Sequence, residues 1–251
     1  MRFFGVLLFV FSVSLSQAQS LTVDEQKVVK SFVDIIKKRD VNSLSKIMSF
    51  PFRREQPLPD IKDSMDLVTR YNEVFDDSLS TLIINSSLVN DWSSVGWRGI
   101  MLHNGLLWLD YDGKLISVNY QSPAEKSKKK VLEIAEKDSL HSSTNSYIKN
   151  HIKLETDSFK IRIDEIGVYE FRYVSWHADS STASLPMEMI EGGKIFIEGS
   201  GGNYRVEFKK GNVTYEIEVI VMGEDGSPPA RLNIYENEET IISQNAIIVR
   251  N

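Results

Sequence analysis

The chain has 251 residues, 35 acidic against 29 basic side chains, 4 histidines and no cysteine. A formal charge of −6 argues against nucleic acid or anionic lipid as the main partner. The missing cysteines remove disulfides, thiol nucleophiles and thiolate metal ligands from consideration, so a chain of this length must fold on its own core, with room for two domains.

Met1 to Val13 carries one arginine followed by an apolar run, and Ser16-Gln17-Ala18 places small residues where signal peptidase reads. Residues 1–18 are therefore expected to be a cleaved secretory signal, too short and too polar beyond Ser12 to stay as a membrane span. With no lipid-attachment cysteine behind the cleavage site, the expected product is periplasmic or secreted, without a membrane anchor.

Thr22 and Glu25 form a capping box ahead of Val28, Val29, Phe32, Val33, Ile35 and Ile36, which predicts an amphipathic helix over 22–38. A short helix follows over Val41 to Met48 and must stop before Phe50-Pro51, where the residue preceding proline disfavours helix. An extended piece from Phe50 to Glu55 comes next. The helical period then returns through Ile61, Met65, Val68, Tyr71, Phe75 and Leu79, predicting one long third helix to about Ser80.

Beyond it the period changes to two. Asn104-Gly105 and Asp112-Gly113, both type I′ turn dipeptides, divide Val95 to His103, Leu106 to Tyr111 and Lys114 to Tyr120 into a three-stranded meander. Pro123 to Ala135, with its lysine run, reads as a connector helix with a solvated face, and the polar stretch to Asn150 as linker. The last hundred residues give seven strand signals between turn clusters such as Gly192-Gly193 and Gly199 to Asn203, as in an all-β sandwich or small barrel. The expected fold class is α+β: a domain over 19–121, a connector over 122–150 and an antiparallel β domain over 151–251.

The order helix, helix, short strand, long helix, meander over residues 22–120 resembles the nuclear-transport-factor-2-like (cystatin-like) superfamily, and Leu44 to Arg53 is similar to the Phe-Pro-Leu-type strand of exported members. The resemblance implies a curved sheet wrapped around the long helix as an open cone. It leaves chemistry open, because that superfamily includes isomerases, dehydratases, polyketide cyclases and inactive domains. Gly199-Ser200-Gly201-Gly202-Asn203-Tyr204 is similar to a loop of periplasmic C-type lysozyme inhibitors, although those carry cysteines and this chain has none.

An enzyme in the cone would have to use His103 or Asp110 as proton carrier, yet both adjoin predicted turns where exposed polar residues are routine. Asp110-x-Asp112-Gly113 lacks the anchoring carboxylates of a calcium loop, and the histidines are too scattered for zinc, so no metal and no cofactor is expected. Gly-x-Ser-x-Gly and Gly-x-Gly-x-x-Gly are both absent. Trp97, Trp108 and Tyr111 are the candidate ligand-binding residues, able to stack on a glycan or an apolar molecule. The expected function is a non-catalytic module binding a small molecule, glycan or protein. The alternatives are a metal-free cone-domain isomerase, dehydratase or hydrolase, and an inhibitor of a cell-wall hydrolase.

Overall fold

A computed structural model describes residues 19–199 and 201–250; the expected signal, residues 1–18, lies outside them. The chain divides into two compact units, one reaching to Arg54 and resuming over Asp60–Glu125, the other comprising Glu55–Pro59 and everything from Lys126 onward. The class is α+β, with a four-stranded sheet and helices in the first unit and a closed eight-stranded antiparallel barrel in the second.

In the first unit each helix starts on a polar cap. The Thr22–Glu25 capping box opens α1 (Val23–Lys38), whose Val29, Phe32 and Ile36 are buried on one face. Asp40 caps α2 (Val41–Lys46), Asp63 caps α3 (Ser64–Val74) and Asp76 caps α4 (Asp77–Ile84). The single long helix read from the apolar spacing is thus two helices. At Phe75 (φ −107°, ψ 64°) the chain leaves the helical region, and the Asp76 carboxylate accepts from Leu79 N at 2.8 Å to start a new one.

The sheet runs β1 (Trp92–Ser94), β2 (Ile100–Leu102), β3 (Leu107–Leu109) and β4 (Leu115–Val118) in that order, all antiparallel. The meander therefore has one strand more than expected, and its turns differ in type. His103 itself takes a positive φ of 49°, so the β2–β3 loop spans 103–106 and closes through Leu106 N to Leu102 O. Asp110 N donates to Lys114 O and Gly113 N to Asp110 O, a three-residue loop in place of a two-residue one. Phe50 to Glu55 contributes an isolated bridge, Phe52 to Ile61.

One sheet face carries Trp92, Ile100, Leu102, Leu107, Leu109, Leu115 and Val118 into a core shared with Phe32, Leu67, Phe75 and Leu79. A buried ion pair closes this unit. Arg54 Nε donates to Glu125 Oε1 at 2.8 Å, its Nη2 to Glu125 Oε2, and the same guanidinium reaches the carbonyls of Val118 and Tyr120.

In the second unit the barrel is an up-and-down meander closed by its first and last strands: β5 (Lys149–Glu155), β6 (Phe159–Gly167), β7 (Glu170–His177), β8 (Glu188–Glu198), β9 (Asn203–Lys210), β10 (Val213–Val219), β11 (Ala230–Glu236) and β12 (Glu239–Ile248). Alternate residues point inward, among them Ile161, Ile163, Tyr173, Val206, Phe208, Ile217 and Leu232, and they fill the interior.

Strand β5 begins inside the stretch read as linker, because its inward residues are just Ile152 and Leu154 and polar side chains surround them. Gly192-Gly193 is no turn: both lie within β8, where Gly192 (φ 84°) is the extra residue of a bulge opposite β7. Gly193 leaves room for Phe208, since a Cβ there would stand 2.2 Å from the ring.

Helix α5 (Pro123–Asp138) opens with proline in its first turn and Ser122 Oγ accepting from Glu125 N at 3.1 Å. Among the described residues no helix is long and apolar enough to cross a membrane.

Candidate functional site

The sequence candidates are spread over the first unit's sheet. His103 and Asp110 sit in the loops at opposite ends of β3, on the order of 10 Å apart at ~3.3 Å per residue. Both are exposed. His103 Nδ1 lies 3.7 Å from Asp91 Oδ1, and Asp110 accepts from the adjacent Tyr111 N at 2.7 Å. Such a separation does not bring the two together as an acid–base pair.

The aromatic candidates divide likewise. Tyr111 Oη donates to Gly96 O and lies 3.0 Å from Ser94 Oγ, beside the exposed Trp97, whose ring carries the Arg98 guanidinium 5.6 Å from its centroid. Trp108 projects from the face opposite the core, between Met101 and Ser117 in register, with its indole turned toward Gly105 at the other end of the sheet. Tyr111 is thus hydrogen-bonded to the backbone next to Trp97, and Trp108 stands apart from both.

A second candidate site lies in the second unit, against the outer wall of the barrel. There α5 and the segment after it cover β5, β6 and β7, leaving an open cleft of about 360 Å³, within the range of small-molecule sites. Leu132, Ala135 and Leu140 come from the helical side and Trp176 from β7, whereas Lys153, Lys160 and Arg162 bring charge from the strands. Trp176 is fixed by Nε1 donating to Ser184 O at 2.9 Å, and it packs with Leu140, Tyr147 and Val174 in a small second core outside the barrel. The walls are mainly apolar.

Beneath the cleft runs a chain of alternating charges. Arg162 Nη1 donates to Glu136 Oε1 at 2.7 Å and its Nη2 to Asp164 Oδ1 at 2.9 Å; Lys153 Nζ stands 3.3 Å from the same Glu136 oxygen. Asp164, fully buried, also accepts from Asn150 Nδ2 at 2.9 Å and faces Arg172 Nη2 at 3.4 Å, its partner in β6–β7 register. Arg172 donates in turn to Thr144 O.

Burial works to raise the Glu136 pKa, but the hydrogen bond and charge of Arg162, with Lys153, hold it below the ordinary carboxylate value. Burial likewise opposes the charge on Arg162, and Asp164 and Glu136 overcome it, so the guanidinium pKa is raised. Tyr147, under the Arg162 and Lys137 cations, is pushed up to about 12 chiefly by burial and by Glu136, and stays a phenol. Glu136 is therefore a fixed anion neutralised by two cations, suited to shaping a site and not to carrying a proton near neutrality.

None of these residues is among the candidates that the sequence offers. Leu132, Ala135, Glu136 and Leu140 follow helical spacing, a signal that was present. Arg162, Asp164 and Arg172 alternate with the core residues of β6 and β7, which normally marks a solvated face; here a second layer covers it.

Among the described residues no cluster of three or more His, Asp and Glu side chains could hold a metal ion. Compared with known proteins, the chain matches no family model, no curated protein and no solved structure.

Proposed function

We propose that this is an exported, non-catalytic binding protein that takes up a small, mainly apolar molecule with one polar end in the cleft between α5 and the barrel wall. The observation that carries this reading is the cleft itself: about 360 Å³, apolar on the side of Leu132, Ala135, Leu140 and Trp176, and bordered by cations whose carboxylate partners are already engaged. Apolar contact supplies affinity in such a site and a few placed polar groups orient the ligand. Lys160 at the rim, its Nζ donating to Ser180 O, favours a ligand whose polar end is anionic.

Export rests on the leader pattern of residues 1–18. The first unit, with its helices against an antiparallel sheet, is read as a cone-type domain resembling the nuclear-transport-factor-2-like superfamily, serving as a companion domain.

The test is titration with 8-anilinonaphthalene-1-sulfonate, an apolar bicycle bearing one anionic group, against wild type and Ala135→Trp. The reading expects a single saturable site that the tryptophan fills; dye binding indifferent to that change counts against it.

A further inference from the structure

The two ends of the barrel differ in chemistry. Because consecutive strands are antiparallel neighbours, the loops alternate between ends, and the β6–β7 turn, the β8–β9 turn and the β10–β11 loop gather at one of them. That end presents large apolar side chains in the β6–β7 turn and the β10–β11 loop and at the end of β8: Val168 and Tyr169 are 81% and 85% exposed, Ile197 80%, Val221 64% and Met222 63%. At the opposite end, loops 156–158, 211–212 and 237–238 hold only Thr, Asp, Ser, Gly, Asn and Glu, and the longer β7–β8 loop carries the exposed Leu185 and Met187.

The apolar tips are held in place. Asn203 Oδ1 accepts from both Val221 N and Met222 N at 2.8 Å, and Asn203 Nδ2 donates to Met222 O at 2.9 Å, which ties the β10–β11 loop to the start of β9. A fixed backbone that projects two apolar side chains outward has already lost the entropy that docking would otherwise cost. Behind the tips, the His151 ring lies edge-on to Phe171 and Tyr204, giving the end a closed floor.

Charge identifies the occupant. Residues 167–170, 198–203 and 220–229 contain four carboxylates, Glu170, Glu198, Glu224 and Asp225, and no Lys, Arg or His. Glu198 is already paired with Arg205 at 2.6 Å, which leaves Glu170, Glu224 and Asp225 beside the exposed apolar tips; this combination matches a protein surface with an apolar patch ringed by lysine or arginine, and disfavours an anionic membrane.

We propose that this end of the barrel is a protein-docking surface for a basic partner, with Ile197, Val221 and Met222 inserting into an apolar patch and Glu224 and Asp225 meeting its cationic rim. This surface is separate from the cleft, and either proposal can fail without the other.

The probe is a synthetic amphipathic helix of leucines and lysines, titrated by calorimetry against the whole chain. Wild type is expected to bind it. The exposed pair Val221→Ser/Met222→Ser should weaken binding at least about tenfold through lost apolar burial, and Glu224→Gln/Asp225→Gln about threefold or more at low salt, with a shallower salt dependence. Unchanged circular dichroism confirms that the variants fold. Absence of binding by wild type overturns the proposal, as does binding that survives Val221→Ser/Met222→Ser. Adsorption to neutral phosphatidylcholine vesicles, lost in the same double variant while the peptide is not bound, overturns it in favour of a membrane.

Discussion

Glu136 Oε1 accepts a 2.7 Å hydrogen bond from Arg162 Nη1, which fastens the last turn of α5 to the outer wall of the barrel and sets the floor of the cleft. The pair is the middle of a run of charges, with Lys153 on one side and Asp164 with Arg172 on the other.

Glu136→Gln keeps an oxygen acceptor and removes the charge, so it should lower stability by about 1–2 kcal/mol at neutral pH, as for a charge-assisted hydrogen bond made neutral. The pH dependence has a definite sign. The folded pKa of Glu136 is depressed, so its contribution is complete above the ordinary value of 4.5 and is lost as pH falls through the lower folded value. Urea unfolding should show wild type and Glu136→Gln separated at neutral pH and converging below about pH 4.

Asp164→Asn should be the more damaging change. Asp164 is fully buried among Arg162, Arg172 and Asn150, and its neutralisation leaves two buried guanidinium groups sharing less negative charge. A loss of about 3–5 kcal/mol is expected in denaturant unfolding, the range for breaking a buried ion pair.

Gly193→Ala tests the interior of the barrel. The added Cβ would stand 2.2 Å from Cε1 of Phe208, which is buried and has nowhere to retreat. Overpacking of this kind costs about 1–3 kcal/mol. Phe208→Leu in the same chain should recover part of that loss, so the two changes should be non-additive in thermal unfolding.

His151 carries a further pH dependence. Packing of its ring against Phe171 and Tyr204, then the charge of Lys149, lowers its pKa below the ordinary 6.5 against a raising influence from Glu165. The fold favours the neutral imidazole, so stability should fall as pH drops below about 6.5 and level off beneath the folded pKa. Melting temperatures at pH 7.5 and pH 5 should differ by less in His151→Gln than in wild type.

The elements with caps and clean periods were legible in the sequence: the Thr22–Glu25 box of α1 and the apolar alternation through Leu107 and Leu109. The interruption between α3 and α4 was hidden, because Phe75 and Leu79 continue the apolar spacing across the break while only the Asp76 cap marks it. Strand β5 was hidden by its polar neighbours, and Gly192-Gly193 looked like a turn because glycine serves a bulge and a close ring contact as readily. The cleft was the least legible feature. Its polar members, Arg162, Asp164 and Arg172, have the alternation of an exposed strand face, and only tertiary structure reveals the layer that covers them.

Titration with 8-anilinonaphthalene-1-sulfonate of three proteins decides whether the cleft binds: wild type, Ala135→Trp in the cleft, and Val221→Ser/Met222→Ser at the barrel end. One saturable site is expected in wild type, weakened at least about tenfold by Ala135→Trp, the equivalent of about 1.4 kcal/mol, and unchanged in the double variant. Binding that is untouched by Ala135→Trp, or abolished by Val221→Ser/Met222→Ser, would contradict that expectation.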